Sequence, residues 1–180
     1  MSIIRIFRGQ NNTPERLKAL IKYLVIAEGK NVWKGVSYQN LPNRVQGYLV
    51  ANDVTDAEAV YDSLMAPHLA YGDLGPHCHL FYHILIDFNA AAEPPVALEV
   101  GGRVASWFRR FWVQYITGLH CVVTKKNVFQ PHIHLLVNTI KLDGSGRKFM
   151  MDKNSIYQLR DWTNEILREF GIPEISGGYR

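Results

Sequence analysis

Apolar residues recur along the chain with two periods, and each period predicts a different kind of secondary structure. Alternating apolar and polar residues indicate a half-buried strand, whereas apolar residues three or four positions apart indicate an amphipathic helix. Strand patterns cover 3–7, 47–53, 77–88, 116–124 and 132–142. Helix patterns begin at Pro14 and cover 55–72, 97–115 and 154–170, and the segment 30–46 is predicted to be a loop. The chain therefore combines both kinds of element.

Helix-capping and turn residues stand at the borders of these segments. Thr13 comes directly before Pro14, and Thr55 opens the second helix pattern, as expected for residues that begin helices. Gly171 ends the last helix pattern, and the turn "DGSG" at 143–146 is typical of a hairpin. We therefore predict an α+β fold in which residues 1–180 form a single domain, with a largely antiparallel central sheet flanked by helices.

The composition is that of a globular protein, because 47% of the residues are hydrophobic and 20% are charged. The formal net charge is +4, and it is unevenly distributed. Between 101 and 153 only Asp143 and Asp152 oppose nine basic residues: Arg103, Arg109, Arg110, Lys125, Lys126, Lys141, Arg147, Lys148 and Lys153. A basic C-terminal half suits a polyanionic partner, although a solvated cationic surface explains the charge equally well.

Cysteine usage and the N-terminal segment bear on the compartment. The two cysteines, Cys78 and Cys121, lie in apolar strand patterns and indicate no disulfide framework. The N-terminal "MSIIRIFRGQ" lacks the pattern of a signal peptide, and no apolar run reaches the length needed to cross a membrane. We therefore expect a soluble cytoplasmic protein without membrane insertion.

The segment "QPHIHLLVN", residues 130–138, carries two histidines one residue apart. On a strand, His132 and His134 point to the same face, about 7 Å apart at the backbone. Imidazoles at this spacing can bind one cation, but two ligands do not complete a metal site, since even an open catalytic site usually has three. The spacing also fits two ordinary polar residues on an alternating strand.

Further polar residues are candidates for completing such a site. His120 lies on the preceding strand pattern, and His79, His83 and Asp87 share one face of another. For His83, a buried imidazole bonded to the backbone is an equally good interpretation. Tyr23 lies on the flank of the apolar stripe of the first helix, where a boundary tyrosine with a buried ring and a solvated hydroxyl is the usual explanation.

Taken in order, these segments resemble the relaxase (mobilisation nuclease) family of histidine-hydrophobe-histidine endonucleases over nearly the whole chain. "ERLKALIKYLV" is similar to the first motif of the family, a helix with the nucleophilic tyrosine, and "FYHILIDF" is similar to the middle motif. The closest match runs from "QPHIHLLVN" through "DGSG" to a helix that ends at "FGIP". The order and spacing of the motifs together carry the resemblance.

The resemblance implies an enzyme that nicks one strand of origin-of-transfer DNA and stays linked to its 5′ end, for mobilisation of a conjugative plasmid or element. It implies that Tyr23 is the nucleophile and that His132 and His134 bind Mg²⁺ or Mn²⁺. We expect His120 to be the third ligand, and Asp87 to orient a histidine or accept a proton. The implied partners are single-stranded or hairpin DNA and relaxosome accessory and coupling proteins. The expected DNA contacts are Arg109, Arg110, Lys125, Lys126, Asn138, Arg147 and Lys148.

The chain departs from the family pattern at two places. The family more often has a serine where Asp87 stands. It usually has a further histidine near the end of the preceding strand, where this chain has Val123, Thr124 and Lys125. His120 is the nearest substitute, and Gln130 offers a side-chain oxygen. Two alternatives therefore stay open: a degenerate DNA-binding protein without catalysis, and a replication initiator or single-tyrosine transposase of the same nuclease class.

Overall fold

The computed structural model describes residues 2–7, 12–25, 32–39, 44–45, 48–49, 56–75, 78–88, 91–123 and 129–176. Within these ranges, only the backbone is described at 25, 32–39, 44–45, 48–49, 122–123 and 129.

A five-stranded antiparallel sheet forms the centre of the fold. Its strands are β1 (Ile3–Phe7), β2 (Val32–Gln39), β5 (Phe81–Asp87), β6 (Val113–Val123) and β7 (Phe129–Lys141), in the spatial order β1-β5-β7-β6-β2. A separate two-stranded ribbon pairs β3 (Arg44–Val45) with β4 (Tyr48–Leu49). The two longest strands of the sheet, β6 and β7, are therefore neighbours in its interior.

Helices cover both faces of this sheet. They are α1 (Pro14–Val25), α2 (Ala57–Ala70), α3 (Pro94–Ala105) and α4 (Lys153–Glu169), and a 3₁₀ turn, Ser106–Phe111, follows α3. One buried cluster joins α1 and α2 to the sheet through Ile116 and Leu136. A larger cluster joins α3 and α4 to the opposite face through Ile133, Leu135 and Val137. This arrangement confirms the predicted α+β class with an antiparallel sheet.

Strand alternation assigns the polar and apolar residues of β7 to different faces. Ile133, Leu135 and Val137 are completely buried under α3 and α4. His132 and His134 alternate with them and therefore lie on the face that α1 and α2 partly cover. That second face is called the histidine face below.

Two glycines allow helices to approach the sheet closely. A Cβ atom at Gly118 of β6 would lie 3.0 Å from Cδ2 of Leu24 in α1, and one at Gly101 of α3 would lie 2.8 Å from two side-chain atoms of Ile133. Both separations are shorter than ordinary packing contacts allow. Because glycine has no side chain, α1 packs directly against β6 on the histidine face, and α3 packs directly against β7 on the opposite face.

The prediction of a loop at 30–46 is wrong, because Val32–Gln39 form β2 and pair with β6. The glycine, lysine and asparagine residues of this segment favoured a loop, but antiparallel pairing along the edge of β6 outweighs local preference. Of the strand predicted at 47–53, the described residues contain only Tyr48–Leu49.

The helix predicted at 97–115 is also corrected. The α-helix starts earlier, at Pro94, and ends at Ala105; the chain then tightens into the 3₁₀ turn, and Val113 begins β6. Trp112 has the left-handed backbone conformation, with φ 58°, which ends the helical path before the strand. The residue that caps α2 is Asp56, whose carboxylate accepts hydrogen bonds from the amides of Glu58 and Ala59, while the expected cap, Thr55, lies outside the described residues.

Within the part of the chain that the structure describes, every helix is too short or too polar to span a membrane.

Candidate active site

Three neighbouring strands bring the candidate residues into one row across the histidine face. His132 of β7 lies directly opposite His120 of β6 on one side and opposite Asp87 of β5 on the other. His134, two residues further along β7, lies opposite Gly118 and Leu85. The antiparallel register therefore places His120 beside the pair, although it precedes His132 by twelve residues in sequence.

The imidazoles of His120, His132 and His134 form a compact cluster. One nitrogen from each ring lies within 4.8 Å of the others. Nδ1 of His120 is 2.7 Å from Nε2 of His132, and the centroids of the His132 and His134 rings are 5.1 Å apart. The first two rings are half-buried and the third is buried, so the three donors form one group at the edge of the core.

This donor set fits a divalent transition metal. Three imidazole ligands with open positions for water or substrate are a common arrangement in catalytic metal sites. Imidazole nitrogen suits transition metals, whereas Mg²⁺ prefers oxygen ligands. Burial lowers the pKa of His132, partly offset by the Gln130 carbonyl and the charge of Asp87, and thereby favours the neutral ring that a metal requires.

Tyr23 of α1 lies against the same cluster. Its hydroxyl is hydrogen-bonded to Nδ1 of His120 and lies 3.3 Å from Nε2 of that ring. The tyrosine ring meets the His120 and His134 rings edge-on, at centroid distances of 4.8 and 5.4 Å. Burial raises the pKa of the Tyr23 hydroxyl, so the phenol is protonated at neutral pH.

The packing of α1 explains why Tyr23 reaches the cluster. Leu17, Leu20, Ile21 and Leu24 bury one stripe of the helix against α2 and the sheet. Tyr23 lies beside that stripe and keeps 36% of its surface exposed. Since Leu24 rests on Gly118, which is two residues from His120 in β6, the helix approaches the strand closely at this point.

His83 of β5, one of the residues considered for completing the site, contacts the cluster through His134. Its Nε2 lies 2.8 Å from Nδ1 of His134, and the two rings are stacked with an interplanar angle of 17°. Phe7 of β1 also stacks on the His83 ring, and the two ring centroids are 4.9 Å apart. Burial, together with the charge of Arg16, lowers the pKa of His83 to about 4. Its shared strand parity with Asp87 was the available signal.

Asp87 and Gln130 both lie close to His132. Asp87 is half-buried opposite His132 in the β5–β7 register, and its negative charge acts to raise the pKa of that histidine. Two strand spacings, about 10 Å, separate its backbone from that of His120. Gln130 contributes its backbone carbonyl, which lies 3.3 Å from Nδ1 of His132, rather than its exposed side chain.

Of the basic residues expected to contact DNA, those that the structure describes lie away from the histidines. Arg109 and Arg110 are exposed on the 3₁₀ turn that precedes β6, whereas His120 lies seven residues along that strand, on the order of 20 Å from its start. Arg147 is exposed beyond the same end of β7, where Lys148 pairs with Asp73 at 2.8 Å. Lys125 and Lys126, in the β6–β7 connection at the histidine end, lie outside the described residues.

The expectation that Asn138 contacts DNA is corrected by its burial. Only 2% of its surface is exposed. Its amide nitrogen donates to the carbonyl of Leu64 at 2.7 Å and to Oε1 of Gln114 at 3.0 Å, and its oxygen accepts from the amide of Ile140. Asn138 is on the histidine face, as strand parity predicts, but α2 covers that part of the face.

No protein-family model and no curated protein matches the chain in sequence. Solved structures nevertheless share its fold. Two structures of the MobM relaxase domain (MOBV; Mob_Pre), each Mn-bound and in complex with plasmid pMV158 oriT DNA, superpose with TM-scores of 0.54 and 0.56. Both are 10% identical, over 98% of this chain and 90% of that chain.

A third similar structure concerns the molecular basis of vancomycin resistance transfer in Staphylococcus aureus. It has a TM-score of 0.53 and 16% identity, over 80% of this chain and 76% of that chain. At these identities the likeness is one of fold. The chain accordingly has the fold of relaxase domains, with a three-histidine cluster on its central sheet.

Proposed function

We propose that this chain is a DNA relaxase, a single nuclease domain spanning 1–180 that nicks one strand of origin-of-transfer DNA and stays joined to it through Tyr23. The observation that carries the proposal is the hydrogen bond between the Tyr23 hydroxyl and His120, a member of the three-histidine cluster. A nucleophile and a metal-binding group in direct contact are what metal-assisted transesterification requires. The Mn-bound, oriT-bound MobM domains of the same fold support it.

The reaction is an exchange of one phosphodiester for another. The Tyr23 oxygen attacks the scissile phosphorus, the bond from phosphorus to the 3′ oxygen breaks, and a 5′-phosphotyrosyl link forms. The phenolic proton is lost as this bond forms, and an equivalent proton ends on the released 3′ hydroxyl. Because one ester replaces another, the reverse reaction can rejoin the strand.

The chain supplies the groups that this chemistry needs. His120, His132 and His134 would hold a divalent metal, which when bound withdraws charge from the scissile phosphate and favours ionisation of a neighbouring phenol. This assistance matters because burial raises the pKa of Tyr23 above its ordinary value. We assign Asp87 to the orientation of His132 rather than to the proton of Tyr23, because it lies opposite His132 and two strands from His120.

The three-histidine donor set favours Mn²⁺ over Mg²⁺. The three protein donors are all nitrogen atoms, and Mg²⁺ is usually held by carboxylates, phosphates and water. Oxygen atoms of the DNA phosphate and of solvent would complete the coordination of either ion. We therefore expect Mn²⁺ to support cleavage at lower concentration than Mg²⁺.

DNA recognition would involve two separate regions. Lys125 and Lys126 belong to the connection that joins β6 and β7 at the histidine end, where the scissile phosphate would bind. Arg109, Arg110 and Arg147 lie at the other end of these strands and would meet phosphates of the flanking single strand or hairpin. Phosphate contacts fix the position of the protein along the DNA without reading the base sequence.

The direct test is detection of a covalent adduct on a denaturing gel. The protein is incubated with random-sequence single-stranded oligonucleotides and Mn²⁺ or Mg²⁺. We expect a metal-dependent adduct that Tyr23→Phe abolishes and that Tyr157→Phe, a change at a similarly exposed tyrosine of α4, retains. DNA binding without an adduct under any divalent ion would instead support a degenerate DNA-binding protein.

A further inference from the structure

His83 and His134 share one short hydrogen bond between two ring nitrogens. Nε2 of His83 and Nδ1 of His134 are 2.8 Å apart, and the rings lie nearly parallel with centroids 5.1 Å apart. A hydrogen bond between two neutral imidazoles needs one N–H and one lone pair. The position of that single proton therefore decides which nitrogen of His134 is free to bind a metal.

Only one of the two proton positions is compatible with a metal at His134. If His83 donates, Nδ1 of His134 is the acceptor and the neutral ring carries its proton on Nε2, which then cannot coordinate. If Nδ1–H of His134 donates to His83, the Nε2 lone pair of His134 is available. Since Nδ1 already faces His83 at 2.8 Å, Nε2 is the nitrogen left to join His120 and His132.

Strand pairing and ring stacking fix the position of the His83 side chain. It lies on β5 opposite Leu136, and the ring of Phe7 stacks on it at 4.9 Å with an interplanar angle of 25°. Phe7, His83 and His134 thus form one continuous column of rings. The acceptor in this arrangement is the lone pair of Nε2 of His83, 2.8 Å from Nδ1 of His134.

We propose that His83 is a positioning residue, which accepts a hydrogen bond from Nδ1–H of His134 and so presents Nε2 of that ligand to a divalent metal. The inference rests on the metal centre of the proposed function, but not on DNA cleavage. Outer partners of metal-bound histidines are commonly carboxylates or backbone carbonyls, and here a second histidine has that position. Loss of such a partner typically lowers metal affinity about 10–100-fold.

Two substitutions of His83 distinguish the effect of losing the hydrogen-bond acceptor from the effect of changing the side-chain volume. His83→Leu keeps an apolar group of similar size against Phe7 but removes the acceptor, whereas His83→Gln keeps a carbonyl oxygen that can accept from His134. We expect Mn²⁺ affinity, measured by calorimetry, to fall roughly 10–100-fold in His83→Leu and to recover most of this loss in His83→Gln. His79→Leu, on the segment before the same strand, serves as the control and should bind Mn²⁺ like the wild type.

The tautomer of His134 is a second measurement that needs neither metal nor DNA. Long-range ¹H–¹⁵N spectra of the metal-free protein should show Nδ1 of His134 protonated in the wild type and in His83→Gln, and a shift toward the Nε2–H form in His83→Leu. A wild-type His134 protonated on Nε2, or unchanged Mn²⁺ affinity in a folded His83→Leu protein, would overturn the proposal. Failure of the wild type to bind Mn²⁺ would overturn it together with the metal centre, whereas failure to cleave DNA alone would not.

Discussion

His120 and His132 face each other directly across β6 and β7, with Nδ1 of one ring 2.7 Å from Nε2 of the other. The third member of the cluster is therefore supplied by cross-strand register rather than by a short spacing in the sequence. Tyr23 contacts this same His120, so one imidazole connects the candidate nucleophile on α1 with the histidine pair on β7.

Removal of His120 should abolish high-affinity metal binding. His120→Ala leaves two imidazoles, which do not complete a site, so we expect Mn²⁺ affinity to fall by more than about 100-fold, beyond the effect typical of an outer-shell partner. Calorimetric titration of the metal-free protein measures this. His79→Ala is the matched control, because His79 is a half-buried histidine outside the cluster. Equal Mn²⁺ affinities of the two variants would exclude His120 as a ligand.

A side chain at position 118 should displace Tyr23 without removing a ligand. The added atoms of Gly118→Val would meet Leu24, whose Cδ2 and Cβ lie 3.0 and 3.1 Å from the Cβ position, and would move α1 away from β6. Misplacement of a reacting group by about 1 Å can lower a rate about 100-fold. We expect adduct formation to fall by roughly that factor while Mn²⁺ affinity stays unchanged.

Gly75→Val controls for the general effect of adding a side chain. A Cβ at Gly75 would meet only Sγ of Cys78, at an ordinary 3.6 Å. The rate of adduct formation should match the wild type in this variant. Unchanged adduct formation in a folded Gly118→Val protein would mean that the close contact of α1 with β6 does not position Tyr23.

Asn138 should matter for stability and not for DNA affinity. Asn138→Ala leaves the carbonyl of Leu64, the side-chain oxygen of Gln114 and the backbone N–H of Ile140 without their buried partner. We expect the free energy of unfolding to fall by about 2–4 kcal/mol, as measured by urea denaturation. Asn154→Ala, at an exposed position of α4, should be nearly neutral. A weakened DNA complex with unchanged stability would restore the original expectation of a DNA contact.

Arg147 and Lys148 are adjacent but should respond differently. Arg147 is exposed, so Arg147→Ala should leave the unfolding free energy unchanged. It should reduce the slope of the logarithm of the DNA-binding constant against the logarithm of the salt concentration by about 1. Lys148→Ala should destabilise the fold by about 1 kcal/mol, because Lys148 pairs with the half-buried carboxylate of Asp73. Binding titrations at several salt concentrations and urea denaturation give the two quantities; interchanged results would refute the assignment.

The stabilisation that Lys148 provides should also depend on pH. Burial raises the pKa of Asp73, but hydrogen bonds from Cys78, Lys148 and His68 more than offset this, and the pKa is lowered overall. A carboxylate with a lowered folded-state pKa stabilises the fold above its ordinary pKa, and this contribution is lost as the pH falls through the lowered value. The difference in unfolding free energy between wild type and Lys148→Ala should therefore be present at neutral pH and vanish in strong acid.

Much of the fold and part of the site could be predicted from local sequence patterns. Periodicity identified α1 and β7, and strand parity placed His132 and His134 on one face. β2 was mistaken for a loop because its pairing with β6, and not its own composition, makes it a strand. The same long-range register brings His120 to the pair and His83 to His134, so neither contact could be deduced from spacing along the chain.

Asn138 illustrates the opposite error. Its parity correctly placed it on the histidine face, but which part of that face is open depends on where α2 packs. Leu64 of α2 covers Asn138, whereas His132 and His134 lie nearer the start of β7. The sequence contains the alternation but not the position of the covering helix, and a buried structural amide was therefore taken for a DNA contact.

Identification of the residue that carries the DNA tests the assignment of Tyr23 as nucleophile most directly. The adduct formed with Mn²⁺ and single-stranded oligonucleotides is digested with nuclease and protease, and the peptides are sequenced by mass spectrometry. We expect a nucleotide phosphate on Tyr23 in the peptide of α1, dependent on metal and absent from His132→Ala. A phosphate on any other residue, or no adduct with any divalent ion, would contradict it.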